Sequence, residues 1–210
     1  MKKVILTISS LFFAFALAQG GLVILPNGDQ ETDANGVTTM NQGGTVTDNV
    51  NGITIKGSFI KVKDGVFLNA TNATIITAQK QSIAASKIEW NIVSDRMALT
   101  GPLTVSTDEV KSLSSANAVA FPKAGIIVSP SGVSAVSPII KANSAVIDGK
   151  NHEAFLNGKY VFQEKGKTKL EGAMLWIKFD SKGKATSTKT GNSIPEAVKS
   201  RYLGLLEKNR

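Results

Sequence analysis

The chain has 210 residues, 42 % of them apolar and 19 % charged, which excludes a disordered polymer and a bundle of membrane spans. It has no Cys and one His, His152. Disulfides and thiolate chemistry are therefore excluded, and little remains for a His-based metal site or a Ser-His-Asp triad.

Met1 to Gln19 has the pattern of a secretory signal. Lys2 and Lys3 precede an apolar run, Val4 to Leu17, and Ala16-Leu17-Ala18 is a small-x-small cleavage site. The run falls short of the roughly 20 residues a spanning helix needs. Residues 1–18 are predicted to be removed, leaving an exported, periplasmic chain. Residues 19–52 are rich in Asn, Asp, Gly and Thr and are expected to be flexible. An edge strand at Leu22 to Leu25 and a weak strand around Val37 to Met40 are their only regular features.

From Ile53 to Phe179 short segments alternate apolar and polar residues. Ile53 and Ile55 alternate with Thr54 and Lys56. Phe59–Val62 and Val66–Leu68 flank the turn Lys63-Asp64-Gly65, a hairpin signal. Further segments of this kind run to Met174–Phe179, divided by Gly, Pro, Asn or Asp. Strands at this spacing predict an all-β domain over 53–180. Residues 181–210 are predicted to form a basic linker and an amphipathic helix, Pro195 to Lys208. That helix is expected to cap the open end of the β body or to rest on a membrane.

Sliding the sequence by 57 residues aligns Leu99 with Leu156, Gly101 with Gly158, Leu103 with Tyr160, Val105 with Phe162 and Leu113 with Leu170. One such unit of strands cannot bury its apolar face alone, so units must stack and share a core. Stacking leaves a sheet edge at each end, and a bare edge is a template for another chain.

The stretch Ile140 to Asp180 carries this cadence most clearly: an Ala-bearing strand ending in Asp148-Gly149-Lys150, the step Leu156-Asn157-Gly158, a turn at Gly166, then Leu170-Glu171-Gly172-Ala173 and an aromatic strand. With the earlier step Leu99-Thr100-Gly101, it resembles the OstA-like proteins of lipopolysaccharide transport (LptA, LptC and the periplasmic part of LptD). The resemblance implies an OstA-like β-jellyroll, open at its ends, that holds acyl chains between two halves. It also implies a carrier without covalent chemistry or cofactor, whose partners are lipopolysaccharide or another amphiphile, other β-jellyroll transport proteins met by edge-strand pairing, and further copies of itself. The segment Phe121 to Pro138 departs from the pattern by lacking a Leu-x-Gly step.

An acyl channel needs aliphatic walls without fixed polar groups. The alternation nominates Ile55, Phe59, Leu68, Ile88, Leu99, Leu103, Val105, Leu156, Tyr160, Phe162, Leu175, Ile177 and Phe179 as its lining; the alternative is that they fill a closed core. Burying a chain of about 12 methylenes is worth on the order of 10 kcal/mol before ordering and association costs. Lys165, Lys167 and Lys169 are candidates for an anionic headgroup, or else a solvated hairpin. Charge is uneven along the exported chain: 8 basic and 9 acidic residues lie in 19–140, against 14 basic and 7 acidic in 141–210. A basic end favours anionic surfaces or phosphorylated amphiphiles over nucleic acid.

Other motifs are weaker. Ser58-x-x-Lys61 with Lys189-Thr190-Gly191 matches penicillin-recognising enzymes, but the Ser sits in a strand rather than at a helix start. Asp29, Glu31 and Asp33 have calcium-loop spacing, yet Ala34 and Met40 stand where Gly and a carboxylate belong. The Asn-x-Thr sequons at Asn69 and Asn72 carry no weight in a bacterial-looking chain. Trp176 alternates with Leu175 and Ile177 and is expected to face outward as a contact residue. The expectation is a non-enzymatic lipid bridge or shuttle, with a ligand-free structural or adhesive β-protein as the alternative.

Overall fold

The computed structural model describes residues 21–77, 81–107 and 110–210; the predicted signal peptide lies outside them. The all-β fold expected from the alternation is present. The strands follow one another as β1 (Leu22–Pro26), β2 (Glu31–Thr32), β3 (Val37–Met40), β4 (Gly44–Asp48), β5 (Ile53–Gly57) and β6 (Phe59–Lys63). Longer strands follow: β7 (Phe67–Ile76), β8 (Ser82–Asn91), β9 (Arg96–Ser106) and β10 (Leu113–Phe121). Then come β11 (Ile126–Ser129), β12 (Val133–Val136), β13 (Ile139–Ala142), β14 (Ser144–Asp148), β15 (Glu153–Gln163), β16 (Leu170–Phe179) and β17 (Ala185–Thr190).

Pairing is antiparallel and sequential once β3–β4, β5–β6, β11–β12 and β13–β14 are each seen as one bent strand. Thus β4 pairs with β5 while β3 pairs with β6, and β7 pairs with both β5 and β6. The same holds around β10 and β15. Every bent strand crosses a common crease, so the sheet folds into two facing leaves. The first leaf carries the β4–β5, β7–β8, β9–β10, β12–β13 and β15–β16 turns. The second carries the β6–β7, β8–β9, β10–β11, β14–β15 and β16–β17 turns.

The crease has a sequence of its own. Gly43, Gly57, Asn72, Ser86, Gly101, Ser115, Ser129, Asn143, Gly158 and Gly172 follow at steps of 14 or 15 residues. Gly43, Asn72, Gly101 and Gly158 have positive φ, which glycine and asparagine adopt at least cost. Neighbouring bends nearly touch: a Cβ on Gly158 would lie 2.9 Å from the Asn143 amide nitrogen. The Ser115 and Ser129 hydroxyls are 2.5 Å apart, and the Asn72 amide donates to Ser58 Oγ at 3.3 Å. The 57-residue repeat is therefore four bent strands long, an even number that restores strand direction.

Alternation carries the core inward from both leaves. On the second leaf Leu68, Trp90, Met97, Ala120, Ile127, Ile147, Ala154 and Ile177 stand side by side in register. Val46, Ile55, Ile75, Ile83, Val105 and Leu113 do so on the first. All belong to one buried cluster.

Two expectations about the flanks change. Residues 19–52 were expected to be flexible, but β1, β3 and β4 pair into the sheet and bury Leu22, Met40 and Val46. Their polar residues are not a linker's: in β4 the threonines take the outer positions while Gly44, Val46 and Asp48 point in. At the other end β17 lengthens the sheet along residues 175–179 of β16, where a linker was expected. The helix α1 (Glu196–Lys208) begins one residue after the expected Pro195, which occupies the N-cap.

That helix does not cap an open end. It packs on the outer face of the second leaf, where Tyr202 and Leu206, with Ile194, bury Val128, Val146, Phe155 and Trp176 in a second cluster. This explains why β14 is buried at all five positions, on both faces. Polar groups lock the contact. Tyr202 donates to Glu153 Oε2 at 2.6 Å, Arg201 pairs with Asp148, and the Arg201 guanidinium donates to the Tyr202 oxygen at 2.9 Å. Burial, the hydrogen bond to Glu153 and the two carboxylate charges push the Tyr202 hydroxyl far above its ordinary range, so it remains a donor. Trp176 does face outward, under Lys178 and Lys189 with their ammonium groups 5.0 and 5.6 Å from the ring centroid.

Candidate functional site

Twelve of the thirteen nominated lining residues fall in the cluster between the leaves. Phe59 does not. Ile60 and Val62 point inward from β6, leaving Phe59 half-buried on the other face. The bend at Gly57-Ser58 turns the chain over while its register with β7 stays unbroken, and the inward set shifts from odd numbers in β5 to even numbers in β6. In β9 and β15 the bend falls on a positive-φ glycine with a register shift, and odd or even parity is kept across it. Leu99, Leu103 and Val105 therefore share the interior, as do Leu156, Tyr160 and Phe162.

The space between the leaves opens opposite the crease. There the β4–β5 and β7–β8 turns of one leaf face the β10–β11 and β14–β15 turns of the other across a cavity of about 520 Å³. Its floor is Ile53, Ile75, Ile83, Met97, Ala120 and Ile127. Its rim is Asn51, Thr77, Gln81, Lys123, Lys150 and His152. None of the thirteen nominated residues lines it; they fill the sheet behind and beside it.

Three of the rim turns, and the neighbouring β8–β9 turn, are of one kind. In the β4–β5, β8–β9, β10–β11 and β14–β15 turns the last residue, Gly52, Asp95, Gly125 or His152, has a φ between 51° and 68°. Asp48 and Asp148 accept the backbone N–H and side-chain amide of Asn51 and Asn151 in matching fashion. The Lys150 ammonium donates to the Lys123 carbonyl at 2.5 Å, and the Lys123 N–H donates to Asp95 Oδ2 at 2.9 Å. These contacts hold two exposed lysine side chains at one lip of the cavity. Burial raises the Asp95 carboxyl above its usual range despite the Lys123 and Ala124 backbone donors and both lysine charges.

No protein-family model and no curated protein matches this chain. Among solved structures it is similar to LptH from Pseudomonas aeruginosa, described as the LptA-homologous periplasmic component of the conserved lipopolysaccharide transport device. The TM-score is 0.45 and the identity 14 %, over 50 % of this chain and 79 % of that one.

The three nominated headgroup lysines lie elsewhere, on the β15–β16 turn. Lys167 pairs with Glu164, and Lys169 with Glu171. Lys165 and Lys167 join Lys111, Lys182 and Lys184 around an open hollow of about 350 Å³. Here the leaves are tied together, since Glu164 Oε1 accepts the Ala185 N–H at 2.9 Å. Burial would raise the Glu164 carboxyl. The Lys167 hydrogen bond, the Ala185 N–H and the charges of Lys167 and Lys184 outweigh it and hold the carboxyl below its ordinary value. The stabilisation is then present above pH 4.5, the unfolded value, and is lost as pH falls through the lower folded value. Glu164→Gln is expected to remove that acid-dependent loss, read as a flatter dependence of melting temperature on pH below 4.5.

The set-aside motifs have structural roles. Ser58 Oγ bonds the Thr71 carbonyl at 3.2 Å within the crease. Asp33 accepts the Asn35 and Val37 N–H groups of its own turn. Among the described residues no three His, Asp or Glu side chains gather as a metal site, and no helix is long and apolar enough to cross a membrane.

Proposed function

We propose that this chain is a non-enzymatic periplasmic carrier of lipopolysaccharide or a related envelope amphiphile. One observation carries the reading: the sheet folds around a continuous apolar interior that opens to solvent between its lips, over an aliphatic and thioether floor with a basic rim. Such a space gains from acyl chains without fixing them by polar bonds, which suits firm yet reversible binding.

Transfer to other β-jellyroll proteins, or to further copies of this chain, uses the C-terminal sheet edge. Strand β17 covers only residues 175–179 of β16, so residues 170–174 of that strand form an edge without a strand partner, running from the first leaf across the crease. Phe162 and Leu170 lie behind it in a hollow shared with β17. The N-terminal edge is blunted by Pro26 and by the two-residue β2, which carries Glu31.

A structural β-protein without ligand is the second reading, favoured by the complete burial of Leu68, Ile88 and Leu99 inside the fold. Mass spectrometry of lipids extracted from the mature protein, purified from its native envelope without detergent, separates the two. A stoichiometric amphiphile is expected. A lipid-free protein that also takes up neither lipopolysaccharide nor phospholipid would establish the structural reading instead.

A further inference from the structure

We infer that the cavity between the lips is a site for a single-chain amphiphile with an anionic head, the chain lying on the Ile75–Ile83–Met97 floor and the head meeting Lys123 and Lys150. This rests on the reading of the interior as an acyl-chain space and narrows its ligand class. Size comes first. A dry cavity of about 150 Å³ accommodates benzene, so a space about 3.5 times larger has room for roughly 20 carbon atoms. That is one acyl chain, and far less than the several chains of a lipid A.

Chemistry decides which end goes where. The floor presents only aliphatic and thioether groups, buried to within a few per cent. The lip of the second leaf presents two exposed ammonium groups from adjacent turns. Lys150 spends one of its three donors on the Lys123 carbonyl and keeps two for an anion. Asp95 is the nearby carboxylate. Its Oδ2 is occupied by the Lys123 N–H and its Oδ1 is buried, so a single carboxylate stands against two ammonium groups. The balance at this lip is positive. Opposite, Gln81 reaches across the opening: its amide nitrogen lies 2.8 Å from where a Cβ on Gly149 would stand. Only the small Gly149 lets the lips approach so closely there, which narrows the opening at that point.

The test uses the mature protein stripped of lipid on a hydrophobic resin. It is titrated with palmitate, palmitoyl lysophosphatidylglycerol, neutral monopalmitoylglycerol and lipopolysaccharide, with stoichiometry read by native mass spectrometry. One palmitate or one lysophospholipid per chain is expected, the preference between them distinguishing a carboxylate from a phosphate head. The pair Lys123→Gln and Lys150→Gln, which removes both charges at exposed positions, is expected to weaken the charged ligands about tenfold or more and to leave binding of the neutral one, which reports an intact cavity, unchanged. Ala120→Phe, which fills the floor, is expected to abolish all three.

Equal affinity for monopalmitoylglycerol, or indifference to the lysine substitutions, overturns the inference. Lipopolysaccharide binding that neither anionic single-chain ligand displaces overturns it while leaving the carrier reading in place. Failure of every ligand removes both.

Discussion

Tyr202→Ala is expected to destabilise the protein by about 3–5 kcal/mol, the range for truncating a large buried aromatic. Tyr202 is fully buried, and its ring stacks on Phe155 at 5.5 Å between centroids. Its loss leaves a void at the centre of the helix–sheet contact and removes the hydroxyl that Glu153 accepts from. Glu153 then keeps its 3.4 Å pair with Lys178, and Arg201 loses the neighbour that orients it toward Asp148. The damage should stay local, because the helix cluster and the inter-leaf cluster share no residue. Urea unfolding followed by tryptophan fluorescence should therefore show Trp176, at 7 % exposure, changing before Trp90, at 1 %. Tyr202→Phe keeps the stack and should cost about 1–3 kcal/mol, the cost of an unmatched buried acceptor. Equal losses for the two variants would mean that the hydroxyl, not the packing, holds the helix.

The strands were legible in the sequence because alternation is local. Ile53 and Ile55, or Leu103 and Val105, announce an inward face within each unbent run. Phe59 misled for the complementary reason: two apolar runs separated by Gly57-Ser58 look continuous, yet the bend between them reverses the faces. The crease was visible only in part. Its glycines at 101 and 158 produced a 57-residue repeat, but asparagine and serine serve at the intervening bends, and the 14-to-15-residue step was hidden in that mixture. A search for Gly, Ser or Asn at that step would have found it. The polar segment 19–52 looked like a linker because its turns are long and its strands short, although Met40 and Val46 already alternate correctly. The cavity rim was not legible. Lys123, Lys150 and Gln81 lie in turns of three separate hairpins, and only the fold over the crease brings those turns to one opening. Composition near the C-terminus drew attention instead to Lys165, Lys167 and Lys169, two of which are already paired to glutamates.

The crease itself predicts the second large effect. Gly43→Ala is expected to cost about 2–5 kcal/mol, the sum of a left-handed backbone and an overpacked contact. Gly43 has φ +74°, and a Cβ there would press into the Gly57 carbonyl and stand 2.9 Å from the Ser58 Cα. Those are backbone atoms, which no rotamer change can move aside. Relief requires the β3–β4 bend to lift off the β5–β6 bend, unseating Met40 and Val46, which are buried to 0 % and 1 % exposure. Gly166→Ala supplies the comparison. Its φ of +76° is the same, but nothing lies within 4 Å of the added carbon. Only the conformational part remains, about 1–2 kcal/mol. The difference between the two variants in urea unfolding thus isolates the contact between successive bends from the conformational cost of a positive φ. A gap of about 1–3 kcal/mol is expected; no gap would mean that the bends have room to spare, and that the leaves are held together by their apolar faces alone.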